Sequence, residues 1–243
     1  MKDEAYILMR TLEDSHWWYR ARREIVCDVI ARCVPGGSRI LDYGCGTGST
    51  ARALHDLGYL VTAADVSDHA LAACRDEHLP TLDLRTHRPD TRSADAILAG
   101  DVLEHVHDDE ALLADFSSWL RPGGTLVLTV PAYQFLWSGE DVVSEHLRRY
   151  TRMRLLEKVE TAGFEVVRSS YFNTLLFPAA AGVILFKRLF APAQQRRSNV
   201  SMPPAFLNRM CYRIFRTERL ALRRVRFHFG LSILVIARSR VLD

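Results

Sequence analysis

Short apolar runs alternate with helically spaced apolar positions along most of the chain. The runs are rich in β-branched and aliphatic residues and predict seven strands, at RILDYG, GYLVTAADV, TLDLRT, ADAILAGDV, TLVLTVP, EVVRSSYF and FGLSILVIARS. Helical spacing predicts helices within residues 3–33, at 49–57, near 68–77, at 109–120 and through RMRLLEKVETAGF, which ends at Gly163. Strands that alternate with helices indicate an α/β fold with a seven-stranded, mostly parallel sheet and helices on both faces.

The alternation stops at residues 173–226, where two helical patterns occur with no strand pattern between them. We interpret this segment as a helical insertion, or cap, between strands six and seven. The chain 1–243 is then a single domain. Its parts are an N-terminal helical cap at 1–37, a cofactor-binding core at 38–172, the insertion at 173–226 and a last strand within 227–243.

Two shorter stretches carry proline and glycine. RPGG at 121–124 is predicted to turn the chain into the fifth strand. The polar, proline-bearing stretch 191–204 is predicted to be a disordered loop.

Charge is small overall but unevenly spread. The formal net charge is +3, which by itself does not indicate nucleic-acid binding. Residues 187–226, however, contain eleven Lys or Arg and one acid, Glu218. Such a block indicates contact with an anionic surface or ligand, or else a solvated helix face.

Cysteine usage and hydropathy predict a cytoplasmic location. The five cysteines are odd in number and form no C-x-x-C pair, which is typical of free thiols in a reducing compartment. MKDEAYILMR lacks the apolar run of a signal peptide. The most apolar stretch, 174–186, is shorter than the ~20 residues that span a bilayer, so only peripheral contact with a membrane stays open.

The stretch ILDYGCGTGST, 40–50, predicts a strand that runs into a glycine turn and opens a helix. In such a sheet ligands bind at the carboxyl ends of the strands, where a Cβ would keep the backbone away from the ligand. The second strand ends at Asp65, an acid that can accept hydrogen bonds from ribose hydroxyls. A nicotinamide enzyme is still allowed by these features.

Three observations disfavour a nicotinamide cofactor. The glycine spacing is G-x-G-x-G, not G-x-G-x-x-G. Asp42 directly precedes the loop, and its carboxylate would repel a pyrophosphate but suits an ammonium or a sulfonium. No tyrosine has a lysine four residues later, so the Tyr-x-x-x-Lys pair of short-chain dehydrogenases is absent.

The segments ILDYGCGTGS, VTAADVS, ADAILAGDVLEHVHDD and WLRPGGTLVLTVP together resemble the class I S-adenosylmethionine-dependent methyltransferases. They occur in that family's order and cover roughly residues 38–172. DVLEHV followed by LRPGG resembles the branch that contains the ubiquinone-biosynthesis O-methyltransferases. The resemblance implies a Rossmann-like fold and S-adenosylmethionine as cofactor, with S-adenosylhomocysteine as its product.

The resemblance also implies roles for individual residues along the cofactor. The methionine portion is expected at Asp42, Gly44, Cys45 and Gly46, the ribose at Asp65, the adenine beside Val66 with its edge at Asp83 or Leu84, and the sulfonium side at Asp101 and Val102. Asp101 has a plainer interpretation as a cap of the next turn.

The segment EDSHWWYRARR, 13–23, predicts a helix whose tryptophans pack on the sheet. His16, Tyr19 and Arg23 share one face of that helix. Because a guanidinium binds a carboxylate bidentately, Tyr19 or Arg23 is predicted to reach the methionine carboxylate of the cofactor.

Methyl transfer to a hydroxyl needs a base near the ends of strands four and five. His146 is the preferred candidate and His105 the second, with His107 a third, solvent-facing choice; each could instead be structural. No tightly bound metal is expected. The substrate entrance is predicted within 131–151, at Tyr133, Trp137, Arg149 and Tyr150. Alternatively, Arg148 and Arg149 pair with acids such as Glu145 or Asp141.

The arginines from Arg209 to Arg223 are predicted to follow one helical face and to point outward. The opposite face, with Met210, Ile214, Ala221 and Val225, is predicted to pack on the domain. Together with the apolar stretch 174–190, this surface suggests anionic lipid, or a substrate with a phosphate or a long apolar tail. A cap over the acceptor pocket combined with a homodimer surface explains it equally well.

The sequence therefore predicts methyl transfer to a small-molecule acceptor, at oxygen, on a lipid-like, quinone-like or natural-product substrate. Nucleic acid is not an expected partner, because the Asn/Asp-Pro-Pro-Tyr/Phe motif of amino-methyltransferases is replaced by GDVLEH. The alternative is a non-catalytic S-adenosylmethionine-binding protein with a basic docking surface. A dehydrogenase is a third, weaker hypothesis.

Overall fold

One seven-stranded sheet organises the chain, and the computed structural model describes residues 3–190 and 202–240. The strands are β1 (Arg39–Tyr43), β2 (Leu60–Asp65), β3 (Thr81–Asp83), β4 (Ala94–Gly100), β5 (Leu120–Pro131), β6 (Phe164–Phe172) and β7 (Ser232–Ser239). Their spatial order is β3-β2-β1-β4-β5-β7-β6. β7 runs antiparallel to both of its neighbours, and the other observed pairings are parallel. All seven predicted strands are confirmed.

Helices cover both faces of the sheet. They are α1 (Asp3–Leu12), α2 (Trp17–Cys33), α3 (Ser49–Asp56), α4 (Asp68–Asp76), α5 (Asp109–Trp119), α6 (Gly139–Val143), α7 (Arg152–Thr161), α8 (Phe177–Phe190) and α9 (Ala205–Ala221). The core on one face includes side chains of α5 and α7. The core on the other face includes side chains of α2, α3 and α9.

β1 illustrates why the strands form where the apolar runs lie. Ile40 and Leu41 are adjacent in sequence, so their side chains point to opposite faces of the sheet. Ile40 packs in the α2 layer and Leu41 in the α5 layer, and both are buried. A strand covered on both faces has no polar side, and this produces the continuous apolar run.

The predicted turn at RPGG is wrong, because these four residues lie within β5. The pairing of β4 with β5 passes from Ala94↔Leu120 to Ala96↔Thr125, so extra residues bulge out of the strand. Gly123 has a positive φ of 75°, and a Cβ on Gly124 would lie 2.9 Å from Arg121 O. The glycines therefore serve an irregularity inside one long strand.

The insertion contains the two predicted helices, α8 and α9, but the predicted packing face of α9 is only partly right, since Ile214 and Ala221 are half-buried. Met210 and Val225 are exposed, whereas Phe215 and Leu222 are buried. The reason is that α9 lies on α2, which carries acids toward it. Arg216 and Arg219 pair with Glu24, at 2.6 and 3.8 Å, and Arg223 pairs with Asp28. The predicted stripe does lie outward: Arg209, Arg213, Arg216 and Arg223 are exposed, and Arg219 is half-buried.

Glu218 ties α9 to the start of the insertion. Its side chain is fully buried, and Oε1 accepts hydrogen bonds from the backbone N–H groups of Thr174 and Leu175, at 2.7 and 2.8 Å. Burial raises the pKa of this carboxyl. Glu218, the single acid within the basic segment 187–226, therefore binds backbone groups inside the fold and adds no negative charge to the surface.

Two further predictions concern the loop at 191–204 and the possibility of a membrane-spanning helix. Residues 191–201 of the predicted disordered loop lie outside the described residues. Within the described ranges, none of the helices combines the length and apolar character needed to cross a membrane.

Gly230 is a position where the fold leaves no room for a side chain. A Cβ there would lie 2.4 Å from the carbonyl oxygen of Phe172 in β6. We expect Gly230→Ala to lower the free energy of unfolding by about 1–3 kcal/mol, as overpacking does. Urea unfolding measures this change.

Gly182, inside α8, is the matched control for that substitution. A Cβ there meets nothing within 4 Å, so Gly182→Ala should stabilise the protein by about 0.5–1 kcal/mol through helix propensity. Equal effects of the two substitutions would contradict the assignment of a steric role to Gly230.

Candidate active site

The predicted site residues meet at the carboxyl ends of β1, β2 and β4. The loop after β1 is built from glycines with positive φ: 70° at Gly44, 56° at Gly46 and 85° at Gly48. A Cβ on Gly44 would lie 2.5 Å from Val102 Cγ2. The loop can therefore press against the segment after β4 only because it carries no side chains there.

Asp42 is buried beside this loop with one oxygen unused. It is 4% exposed, and no hydrogen-bond partner for Oδ2 is found among the described residues. Burial raises its pKa to about 7, although Arg22 opposes that shift. A buried acceptor without a partner is costly unless a ligand satisfies it.

Asp65 accepts hydrogen bonds from three groups at the end of β2. Its oxygens lie 3.0 Å from Gly46 N, 2.9 Å from Ser67 N and 3.2 Å from the hydroxyl of Tyr6. The two backbone donors orient the carboxylate. Tyr6 belongs to α1, and its hydroxyl lies at the carboxylate oxygen that a hydroxyl-bearing ligand would bind.

The residues predicted to lie around an adenine ring are differently placed. Val66 is 55% exposed at the end of β2. Asp83 is held by Arg85, whose hydrogen bonds lower the pKa of the Asp83 carboxyl to about 2. Leu84 is half-buried, and its N–H donates to Asp65 O at 3.0 Å.

Helix α1 lies over the glycine loop, within the N-terminal helical cap predicted at 1–37. Met9 Sδ is 3.1 Å from the position of a Cβ on Gly46, and Glu13 hydrogen-bonds the hydroxyl of Thr47. With Tyr6, these residues are the functional candidates that sequence reasoning missed. The sequence pattern predicted only that residues 3–33 are helical, and it contained no indication of which side chains of α1 contact the loop.

The N-terminal guanidinium that reaches the strand ends belongs to Arg22, not to the predicted Arg23. Arg22 Nη2 lies 2.9 Å from Asp101 Oδ2 and 2.8 Å from Thr129 Oγ1. Arg23 instead contacts Asp14 and the carbonyl oxygen of Glu13, at 3.2 Å each. In the sequence RARR the spacing alone could not distinguish the two.

Tyr19 lies on the same helix as Arg22 and is largely enclosed. Its ring packs edge-on to that of Trp18, with centroids 5.0 Å apart. Burial raises the pKa of its hydroxyl to about 12. His16 caps the helix by accepting a hydrogen bond from Trp18 N, and its ring contacts that of Tyr19 edge-on with centroids 5.8 Å apart.

Asp101 follows β4 in a left-handed conformation with φ 59°. Its N–H donates to Thr129 O at 2.8 Å, and Thr129 Oγ1 donates to its carboxylate at 3.1 Å. Together with Arg22, these bonds hold the strained residue at the strand end. Val102 follows it and is buried against Gly44.

Glu104, His105 and His146 form a cluster next to this turn. Their ligand atoms lie within 4.8 Å of one another. Glu104 is fully buried, both of its carboxylate oxygens lack a partner among the described residues, and burial and Asp101 raise its pKa. Burial and His146 lower the pKa of His105 to about 4. The cluster offers proton acceptors or the ligands of a divalent cation, although the sequence predicted no tightly bound metal.

His146 is oriented from behind by Asp141. Its Nδ1 lies 2.9 Å from Asp141 Oδ1, and Arg149 approaches the same carboxylate at 2.7 and 2.8 Å. Burial by itself would raise the pKa of Asp141, but the hydrogen bonds from His146 and Arg149 bring it below the usual value. A carboxylate at Nδ1 leaves Nε2 as the free acceptor of the ring.

Two residues predicted to meet a substrate are supports in the structure. Arg149 pairs with Asp141, which was the alternative interpretation. Tyr150 is 3% exposed, and its hydroxyl donates to Asp109 at 2.7 Å and lies 3.1 Å from Leu103 O. The sequence pattern could not distinguish the inner from the outer side chains of this loop.

Tyr133 and Trp137, the other two residues predicted to meet a substrate, are half-buried in the first part of the same loop. Tyr133 stacks on Tyr171 with centroids 5.1 Å apart and packs near Phe177 at 6.0 Å. Trp137 is half-buried where the short helical turn 134–136 ends.

A cofactor with a cationic amino-acid portion fits these residues. The unused oxygen of Asp42 offers a counter-charge for an ammonium, and the glycines of the loop offer backbone groups without a Cβ in the way. Asp65 offers a carboxylate to a ribose once Tyr6 withdraws.

Comparisons with known proteins agree with that fit. The sequence profile of the family described as "Methyltransferase domain" matches residues 17–169. A protein of Mycolicibacterium smegmatis, named as an S-adenosylmethionine-dependent methyltransferase, is 31% identical over 164 residues, 64% of this chain and 62% of its own. The ubiquinone biosynthesis O-methyltransferase of Xanthomonas campestris is 36% identical over 110 residues, 42% of this chain and 46% of its own. The chain thus spans about half to three fifths of the length of these curated relatives.

A solved structure extends the similarity over nearly the whole chain. The complex between the Haloferax volcanii Trm112 methyltransferase activator and a methyltransferase contains a chain that matches with a TM-score of 0.65. The match covers 99% of this chain and 96% of that chain, at 20% sequence identity. At that identity the likeness establishes the fold alone, and it confirms the predicted Rossmann-like sheet.

Proposed function

We propose that this chain, which belongs to the methyltransferase domain family, transfers a methyl group from S-adenosylmethionine to a hydroxyl of a small-molecule acceptor. The observation that supports it most directly is the buried Asp42 with its unused oxygen, set beside a bare glycine loop. The similarity to a ubiquinone biosynthesis O-methyltransferase favours a quinone-like or other apolar acceptor.

Each end of the cofactor is assigned to residues of this chain. Asp42 would hold the ammonium, and the backbone of Gly44, Cys45 and Gly46 would line the methionine portion. Asp65 would hold the ribose hydroxyls, which requires the hydroxyl of Tyr6 to move away. The adenine would lie beside Val66 with its edge at Leu84, because Arg85 already binds the Asp83 carboxylate.

Arg22 replaces Arg23 as the guanidinium assigned to the methionine carboxylate. It already lies among the acids at the strand ends, and its Nε is buried without a partner among the described residues. Asp101 and Val102 would then flank the sulfonium side.

The bound cofactor supplies an electrophilic methyl group on a sulfonium. The protein must align the acceptor hydroxyl and take its proton. His146 is assigned as the base, because Asp141 holds its Nδ1 and leaves Nε2 free. His105 stays neutral at physiological pH, since its pKa is lowered to about 4, and lies beside it with ring centroids 4.7 Å apart.

Further proposals concern the surroundings of the chain. We propose that residues 1–243 act as a single domain in the cytoplasm, with Tyr133 and Trp137 at the acceptor entrance and with peripheral contact to anionic membrane. A homodimer formed through the insertion 173–226 is the alternative to membrane contact.

The pH dependence of cofactor binding tests the role of Asp42. Its pKa is about 7 without a ligand, and a bound ammonium favours the carboxylate. Below pH 7 binding must therefore release a proton, so affinity should rise up to about tenfold per pH unit and level off above pH 7. Calorimetric titration with S-adenosylmethionine measures this. Asp42→Asn should weaken binding and flatten the profile; an unaltered slope would remove Asp42 from the site.

Arg22→Ala and Arg23→Ala form a matched pair for the carboxylate partner. Losing a charge-assisted bond costs about 1.5–3 kcal/mol, so Arg22→Ala should weaken S-adenosylmethionine binding at least about tenfold. Arg23→Ala should change the dissociation constant less than about twofold, because Arg23 faces Asp14. The reverse ranking in the same titration would restore the role first predicted for Arg23.

His146→Gln should lower turnover by about 10²–10⁴-fold, as loss of a general base does, with little change in cofactor affinity. Release of S-adenosylhomocysteine in the presence of a panel of phenolic acceptors measures turnover. His107→Gln is the control, because His107 is exposed. Activity that is lost with EDTA and restored by Mg²⁺ would instead assign the cluster to a metal. Cofactor binding without release of product for any acceptor would favour the non-catalytic alternative.

A further inference from the structure

The outer half of α8 exposes large apolar side chains. Val183, Phe186 and Phe190 are 54%, 63% and 70% exposed and lie at i, i+3 and i+7, on one side of the helix. The rings of Phe186 and Phe190 contact each other with centroids 4.8 Å apart. An apolar cluster of this kind in water usually marks an interaction surface.

The charge around this cluster favours an anionic partner. Lys187 and Arg188 are exposed next to Phe186 in sequence. Within residues 187–226 the single acid is Glu218, which is fully buried and bonded to backbone. The described surface of the insertion is therefore aromatic and basic, the combination that binds anionic lipid headgroups.

The length of α8 decides how it can meet a bilayer. Its 14 residues extend about 21 Å, which is short of the ~30 Å hydrocarbon core. A helix of this length can lie in the headgroup region with its apolar side chains immersed, but it cannot cross.

α8 also contacts the loop that we assign to the acceptor entrance. Phe177, at its start, packs near Tyr133 with ring centroids 6.0 Å apart. Arg188, near its end, donates to the carbonyl oxygen of Phe135 at 3.4 Å. The helix therefore links the exposed aromatic surface directly to residues 133–135.

We propose that α8 docks on an anionic membrane, with Phe186 and Phe190 immersed at the headgroup boundary and Lys187 at lipid phosphates. Docking sets the 133–135 segment at the bilayer surface, where an acceptor with a long apolar tail can reach it without leaving the lipid. The delivery of the acceptor rests on the proposed function; the docking itself does not.

Vesicle co-sedimentation tests the docking. The vesicles contain about 30% phosphatidylglycerol in phosphatidylcholine, with pure phosphatidylcholine as comparison. Phe186→Ser/Phe190→Ser should lower the affinity for the anionic vesicles at least about tenfold, through lost apolar burial. Lys187→Glu should lower it by about fivefold or more, because each basic residue near an anionic surface contributes about 1 kcal/mol. About 0.5 M salt should abolish the difference between the two vesicle types.

Met153→Ser/Arg154→Glu on α7 is the matched control. Met153 is 82% exposed and Arg154 is also exposed, so this variant removes the same kinds of groups from another surface. It should bind vesicles like the unmodified protein. Failure of the unmodified protein to bind anionic vesicles, or an equal loss in the control, would overturn the proposal.

Two further readouts separate the proposals from one another. Phe186→Ser/Phe190→Ser should keep methyl transfer to a water-soluble phenol and lose transfer to a vesicle-embedded one. If the unmodified protein binds anionic vesicles but methylates neither phenol, the function is rejected and the docking is retained. Sedimentation velocity without lipid tests whether the protein forms a homodimer through the same surface of α8. A dimer that dissociates in the Phe variant, without any vesicle binding, would assign the surface to a second copy of the chain and reject the membrane.

Discussion

The crowding of buried carboxylates at one edge of the sheet is the constraint on which the site depends. Asp42, Asp65 and Glu104 follow or end three parallel strands, so the topology alone brings them together. Their burial raises the pKa of Asp42 and Glu104, and Arg22 counteracts the rise at both. The cost of keeping these acids in the interior is met by α2, which delivers that guanidinium, and by a ligand that brings a positive charge.

The two sides of the site are supported in different ways. On the cofactor side, backbone donors orient Asp65 and leave a place that Tyr6 now fills. On the acceptor side, buried Asp141 holds both His146 and Arg149, so the loop after β5 is tied down by an ion pair rather than by apolar packing. Helix α1 therefore covers the glycine loop on one side, and an ion pair fixes the loop that carries His146 on the other.

The sequence predicted the central strands because they are buried on both faces and read as apolar runs, whereas β3 is half-buried and β6 partly exposed. It predicted the glycine loop and Asp42 because their roles are local, set by backbone conformation and by one adjacent acid. It was wrong where two outcomes share one local pattern. RPGG can turn a chain or kink a strand, and RARR contains more than one arginine able to face the sheet. The face of α9 depended on Glu24 and Asp28, which lie far away in sequence.

By itself, then, the sequence determined the fold class, the family and the position of the cofactor loop, since all three follow from short-range periodicity and spacing. The tertiary structure decided which side chains share the site. It brought Glu104, His105 and His146 together and turned Arg22 inward in place of Arg23. It also laid α1 over the glycine loop and buried Tyr150 against Leu103 and Asp109. These choices depend on contacts between residues distant in the chain, whose energies no local pattern contains.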